Sequence, residues 1–266
     1  MPRRFAIRLG RRAVATAVSA ARAVARTLVP VAARRALRGD HRRIAGGAPG
    51  PLDLGQLRRT TPVSRQWGSD RGLPVDRFYI ETFLREHAAD VRGRVLEVRD
   101  DTYTKTYGVD RVTRSDVLHV VAGNPRATIV ADLTRAEHVV SDTFDCIILT
   151  QTLHLIYDVR AAVQTLHRIL RPDGVLLATF PGISHISRRD MERWGDCWRF
   201  TTLSAQRLFA EAFGDRVSVR SYGNVLTAVA FLHGLATHEL LPEELGHMDQ
   251  DYQVVIAARA VKRPTC

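Results

Sequence analysis

Three carboxylates stand at or near the ends of short apolar runs: Glu97 in RVLEV (94–98), Asp116 in RVTRSDVL (111–118) and Asp132 in ATIVADL (127–133). A fourth run, FDCIILTQ (144–151), ends in the polar pair Thr150 and Gln151. Carboxylate, hydroxyl and amide groups gathered at strand ends can accept from the hydroxyls and amines of a ligand. Two histidines follow, His154 just past the fourth run and His185 in PGISHISRRD. Imidazole is the side chain that exchanges a proton near neutral pH. The stretch DMERWGDCWRFTTLSAQRLF (190–209) adds Trp194, Trp198, Arg199 and Phe200 with Asp196. Aromatic faces stack on sugar rings, and Asp and Arg bind hydroxyls. Each group also has a plainer use: an Asp after a strand caps a helix or turn, a histidine packs in a core, and an aromatic cluster covers a sheet edge.

The elements that would position these groups alternate. Besides the four runs above, VLLATFP (175–181), RVSVRSYG (216–223) and YQVVIAARAV (252–261) read as strands. YDVRAAVQTLHRIL (157–170) reads as an amphipathic helix with Val159, Ala162, Val163, Leu166, Ile169 and Leu170 on one side, stopped by RPDG. LPVDRFYIETFLREH carries Phe78, Ile80, Phe83 and Leu84 as its buried set. LSAQRLFAEAFG, with Ser204 as cap and Gly214 as stop, and NVLTAVAFLHGLA complete the helices. Strands alternating with helices make an α/β fold, a parallel sheet covered on both faces. Such sheets bind ligands at the carboxyl ends of their strands, near the point where strand order reverses. The strand ends are therefore the place to look for a site.

Composition narrows the function classes. Residues 1–50 hold twelve arginines and one acid, Asp40, a net of +11, whereas residues 51–266 hold 27 bases and 27 acids. The body is neutral and the basicity belongs to an arm, so the overall charge is no argument for a nucleic-acid surface on the body. Three cysteines (Cys146, Cys197, Cys266) are too few and scattered for a disulfide framework or a zinc site, which points to a cytoplasmic protein. The domains read as a basic, alanine- and arginine-rich helical arm (1–45), a linker and lead-in (46–75) and a folded domain (76–262). In the arm, Ile7, Val14, Val18, Ala21, Ala25 and Leu28 recur at helical spacing among arginines. The charge-free run Ala13–Ala21 is too short to span a bilayer. Residues 1–38 suit a helix lying on an anionic membrane, a solvated arm, or, after the opening arginines, a signal-peptide core.

The stretch SDTFDCIILTQTLHLIYDVRAAVQTLHRILRPDGVLLATFPG (141–182) holds an ordered set: an FD pair opening a strand, a polar strand end, an L-H pair, a helix ending in R-I-L-x-P-x-G and an apolar strand. In this it resembles the class I S-adenosylmethionine (SAM)-dependent methyltransferases, the small-molecule branch in particular. The resemblance implies a Rossmann-like three-layer αβα sandwich whose seven-stranded sheet is mostly parallel with an antiparallel last strand. It implies SAM as cofactor, with Glu97 organising the cofactor loop and Asp116, 19 residues later, accepting from the ribose hydroxyls. Asp132 would accept from the adenine amine, Leu133 would pack on the ring, and Thr150 with Gln151 would close the strand-four side. His154 and His185 are candidate general bases, and Trp194, Trp198 and Arg199 candidate acceptor-binding residues. The segment around WRFT resembles methyltransferases encoded beside polysaccharide and glycosyl-transfer genes.

One departure stands out. The family pattern after the first strand is E-x-G-x-G-x-G, and the glycine positions hold Arg99, Asp101 and Tyr103. Glycines there allow positive φ and close backbone approach to the methionine part of SAM. Either the loop is redrawn, with Asp100 or Asp101 facing the methionyl ammonium and Thr102 and Thr104 donating to its carboxylate, or the site has degenerated. The expectation is a bacterial-type, cytoplasmic O-methyltransferase acting on a hydroxyl of a sugar, glycoconjugate or natural product, held peripherally at the inner membrane face by its arm. The alternative is a non-catalytic methyltransferase-like scaffold. Nucleic acid is the least supported partner: TQTLHLIYD stands where a base-stacking motif would follow strand four.

Overall fold

The structure, a computed structural model, describes residues 55–264. The arm and most of the linker lie outside the described residues. The chain divides into two units, Met1–Arg59 and Thr60–Cys266. Of the first, the structure describes a single 3-10 turn, Gly55–Arg58.

The second unit carries seven strands: β1 (Gly93–Val98), β2 (Val112–His119), β3 (Ile129–Val130), β4 (Phe144–Thr150), β5 (Leu170–Pro181), β6 (Val217–Tyr222) and β7 (Val255–Val261). They form one sheet in the order β3-β2-β1-β4-β5-β7-β6. The first five in that order run parallel, while β7 lies antiparallel between β5 and β6. The direction of connection reverses between β1 and β4, the switch point where open α/β sheets bind ligands.

Alternation along the strands sorts their side chains onto two cores. Phe144, Ile147 and Leu149 of β4 face one, with Ala162, Val163, Leu166 and Ile169 of α3 (Val159–Ile169) and Leu208, Phe209 and Phe213 of α5 (Thr202–Phe213). Cys146 and Ile148 face the other, with Tyr79, Ile80, Phe83 and Leu84 of α1 (Val75–Glu86), Tyr107 of α2 (Thr102–Gly108), and Ala228 and Phe231 of α6 (Val225–His233). Two short helices, α4 (Arg188–Arg193) and α7 (Pro242–Gly246), lie in the connections.

Several local expectations change. On α1, Tyr79 is fully buried and Phe78 only partly, because the tyrosine hydroxyl finds the Leu245 carbonyl at 3.1 Å. The N-cap of α5 is Thr201; Ser204 is its reciprocal partner in a capping box. RPDG loops out inside β5 as a bulge, with Asp173 at φ +60. Residues 60–74 belong to the packed unit: the amides of Val63 and Ser64 both donate to the His233 carbonyl. A Cβ on Gly234 would lie 2.3 Å from the Ser64 carbonyl, so only glycine suits the left-handed end of α6 there.

Candidate functional site

At the carboxyl end of β1, Glu97 is buried and accepts from the amides of Tyr103 (3.1 Å) and Thr104 (2.7 Å) and the Thr104 hydroxyl (2.8 Å). Its carboxylate thus caps the first turn of α2, satisfying two of the amides that every helix start leaves open. Burial pushes Glu97 up to about 7, against the pull of those three donors. Thr104, expected to face a ligand, is spent on this cap. Between strand and helix runs Arg99-Asp100-Asp101. Arg99 takes φ +78, the left-handed backbone that a glycine would supply, and is held on both sides: its amide donates to the Leu118 carbonyl (2.9 Å), and its carbonyl accepts from Asn124 Nδ2 (2.7 Å). Asp100 accepts from the Thr102 amide, and Asp101 pairs with Lys105 at 2.8 Å. Tyr103 turns away toward α1, where its hydroxyl accepts from Arg77.

Asp116 is not where the sequence reading puts it. β2 continues through His119, so Asp116 sits inside the strand opposite Leu96, with a side chain 1% exposed. Its carboxylate accepts from Arg94 (2.7 Å), Arg114 and Thr128 (3.0 Å). An acid is tolerated mid-strand because two guanidiniums and a hydroxyl meet it, and they hold it below the usual carboxylate range against the cost of burial. It is a structural ion pair, and His119 is the residue that ends β2. Asp132 follows a β3 of only two residues and folds back on its own turn, accepting from the amide and hydroxyl of Thr134 and from Arg135. Leu133 is 3% exposed and belongs to the core, so it offers no face to a ring.

The β4–β5 side is built differently. Thr150 closes β4, and Gln151 turns at φ +45 with its amide on the Thr179 carbonyl. His154 is 9% exposed, and its Nδ1 is buried without a partner. Burial pushes His154 down to about 4. His185 buries an unpartnered Nδ1 as well and stacks on Trp67 at 4.6 Å and 22°. Burial, then the Arg199 charge, holds His185 below its ordinary value. Asp196, with a side chain 1% exposed, accepts from Arg199 and from the Ser187 amide. Arg199 also donates to the His185 carbonyl and buries an unpartnered Nε. Trp198 donates from Nε1 to the Ile156 carbonyl, stacks against Tyr157 at 5.8 Å and is 37% exposed. The structure therefore brings His154, His185, Arg199 and Trp198 to one end of β4 and β5. Trp194 lies apart from them, edge-on to His119 at 5.8 Å and 85°.

A family model described as a methyltransferase domain matches residues 80–216, just over half of the chain. The protein belongs to the class I SAM-dependent methyltransferase family. That domain spans β1 through α5, and its methyl donor is S-adenosyl-L-methionine. Solved structures similar to this methyltransferase domain include the N-methyltransferase NodS from Bradyrhizobium japonicum WM9 in complex with S-adenosyl-L-homocysteine (14% identity, 76% of this chain and 94% of that one, TM-score 0.47). They also include a SAM-dependent methyltransferase from Archaeoglobus fulgidus (10%, 70% and 94%, 0.47) and phosphoethanolamine N-methyltransferase 2 from Haemonchus contortus in complex with SAM (11%, 76% and 61%, 0.46). At these values they assign neither acceptor nor residue roles to this chain. No curated protein matches the sequence.

The loop fits the donor better than its side chains suggest. Arg99 has the glycine-like turn, Tyr103 points away, and the N–H groups of Asp100 and Asp101 have no partner among the described residues. Free amides after a left-handed residue suit an anionic group such as a carboxylate. Sequence reasoning missed His119, Trp67 and the pairing of Asp196 with Arg199 and the Ser187 amide. The unbroken apolar run VLHVV carried the signal for His119; nothing in the sequence ties Trp67 to His185.

Proposed function

We propose that the protein transfers the SAM methyl group to a hydroxyl of a small molecule, a sugar, glycoconjugate or natural product. The observation behind this reading is that His154 Nδ1, Thr179 Oγ1, His185 Nδ1 and Arg199 Nε, buried and without partners among the described residues, collect at the carboxyl ends of β4 and β5 beside the Asp196–Arg199 pair. Bound SAM supplies an electrophilic methyl on a sulfonium. The N–H groups of Asp100 and Asp101, without partners among the described residues, support a role in holding its carboxylate. The remaining tasks are to align the acceptor oxygen and to take its proton. Arg199 Nε, without a partner among the described residues, donates to an acceptor hydroxyl while Asp196 holds the guanidinium, and Trp198 offers an aromatic face. His185 receives the proton: it stays neutral at pH 7, and Trp67 fixes its ring plane. His154 is the weaker base, since protonating an imidazole pushed down to about 4 costs about 3 kcal/mol more than in water. It is a positioning residue in this scheme.

The test is turnover of the full chain with SAM and a panel of methyl glycosides and nucleotide sugars, with S-adenosylhomocysteine release measured and the methyl located by NMR. A methyl ether is expected. Methylation of an amine, or cofactor binding without turnover of any hydroxyl, overturns the hydroxyl reading. Failure to bind S-adenosylhomocysteine at millimolar concentration favours the scaffold instead.

The arginines of residues 1–38 further suggest that the protein works at the anionic, cytoplasmic face of a membrane. No helix among the described residues is long and apolar enough to cross one. Binding to anionic vesicles that survives deletion of residues 1–45 overturns this part.

A further inference from the structure

Ending β2 at His119 leaves the ribose position of the fold without a carboxylate. In open α/β sheets that position lies at the carboxyl end of the strand beside β1. Leu118 is opposite Val98, so His119 stands level with Arg99, at the start of the cofactor loop. Asp116 is three residues before His119, sealed under Arg94, Arg114 and Thr128. His119 Nδ1 lies 2.8 Å from the Val121 carbonyl and 3.3 Å from the Val121 amide. The shorter contact favours the tautomer in which Nδ1 donates to the carbonyl, which leaves the Nε2 lone pair with no partner among the described residues.

The aromatic neighbour of His119 comes from far along the chain. Trp194 belongs to the connection between β5 and α5, yet its ring meets His119 at the end of β2. Between those strands in the sheet lie β1 and β4. At about 4.8 Å per strand, the connection reaches roughly 14 Å across the carboxyl edge. It is anchored on the way by the amides of Cys197 and Trp198, which both donate to the His154 carbonyl. At its far end Trp194 stays 39% exposed, and Val120 and Val121, which follow His119 in the chain, are 43% and 46% exposed. An indole and two valines are thus left in solvent at the ligand-binding edge.

We propose that His119 and Trp194 form the nucleoside subsite of this protein, His119 Nε2 accepting from a ribose hydroxyl and Trp194 covering the base. The assignment rests on the SAM reading above and deepens it. One imidazole nitrogen accepts from one hydroxyl where a carboxylate accepts from two, so the aromatic cover carries more of the affinity. The strap also links the two halves of the site, because Trp194 and the Asp196–Arg199 pair are five residues apart or less.

Calorimetric titration of the full chain with S-adenosylhomocysteine tests the assignment. Expected are a Kd at least tenfold weaker in His119→Ala and in Trp194→Ala, a Kd within threefold of wild type in His119→Asp, which returns a carboxylate to the strand end, and loss of most of the ligand-induced change in tryptophan fluorescence in Trp194→Phe. Thermal melts of the same variants confirm that they fold. If the wild type binds and both alanine variants bind within twofold of it, the subsite is wrong and the cofactor reading stands. If the wild type shows no binding at millimolar ligand, the cofactor reading fails and takes the subsite with it.

Discussion

Glu97, near the end of β1, has three donors on its carboxylate, whereas His185, beyond β5, buries a ring nitrogen that no described residue reaches. The contrast extends to their surroundings. On the β1–β3 side, Asp116 has Arg94, Arg114 and Thr128, and Asp132 has Thr134 and Arg135. On the β4–β5 side, His154 Nδ1, Thr179 Oγ1, His185 Nδ1 and Arg199 Nε are all buried without partners. Buried polar groups are normally satisfied, and leaving one unmet costs about 1–3 kcal/mol. The acids that look most like ligand contacts are used for structure, although Ser115 Oγ of β2 is unmet on that side too; the unmet groups gathered beyond β4 and β5 are the ones the proposed acceptor would partner.

The sharpest way to break this contrast is at His185. His185→Gln is expected to lower kcat by roughly 10²–10⁴-fold, with the Kd for S-adenosylhomocysteine unchanged within twofold. The base must be unprotonated, and His185 is held below 6.5. Wild-type kcat should therefore fall as pH drops below 6.5 and stay level near 7, and the variant should lose that acid limb. A drop under threefold moves the base elsewhere.

Next in size is a pH effect that separates Glu97 from His154. Glu97 is raised from 4.5 to about 7 in the folded state. Its contribution to stability is complete below 4.5 and is lost as pH rises through 7. His154 is lowered from 6.5 to about 4, so its contribution is complete above 6.5 and is lost as pH falls toward 4. Urea unfolding of wild type and Glu97→Gln should show the stability difference shifting by about 3 kcal/mol in favour of the variant between pH 4.5 and 8. His154→Gln should shift the other way, gaining on wild type as pH falls from 6.5 to 4. A difference that does not move with pH would mean that Glu97 is an ordinary exposed-like acid.

Asp116 offers the next test and shows what the sequence could tell. Asp116→Ala should cost roughly 2 kcal/mol, the scale of hydrogen bonds to a charged group, and leave the Kd for S-adenosylhomocysteine within threefold; a tenfold loss would restore it to the ribose site. Most of the strand–helix alternation was readable, because β4 is a short apolar run buried on both faces whereas Ala162, Val163 and Leu166 recur at helical spacing. Asp116 misled because polarity normally marks a strand end, and the arginines that keep it inside lie on another strand and two residues away. Helix α2 was hidden for a related reason. TYTKTYG has threonines and tyrosines of modest helix propensity, and it is helical where Glu97, five residues upstream, meets its first amides. Pairings distant in sequence, such as Trp67 on His185, leave no periodic trace at all.

The smallest effect expected is at Arg99, where the loop after β1 takes a left-handed backbone without a glycine. A left-handed conformation costs an L-residue roughly 1–2 kcal/mol, and glycine returns part of that through the greater freedom it loses on folding. Arg99→Gly should therefore raise stability by no more than about 1 kcal/mol, read as a rise in the urea midpoint at unchanged slope. The side chain is exposed, and the two bonds that fix the turn use the Arg99 amide and carbonyl, so the substitution keeps both. The N–H groups of Asp100 and Asp101 should stay where they are, and S-adenosylhomocysteine affinity should hold or improve slightly as a Cβ leaves the loop. A fall in stability would show that the guanidinium does more for this end of β1 than its exposure implies. A large gain in affinity with no change in stability would show that the arginine side chain blocks the loop, so that a cofactor side whose acids are spent on structure would also be partly closed to its ligand.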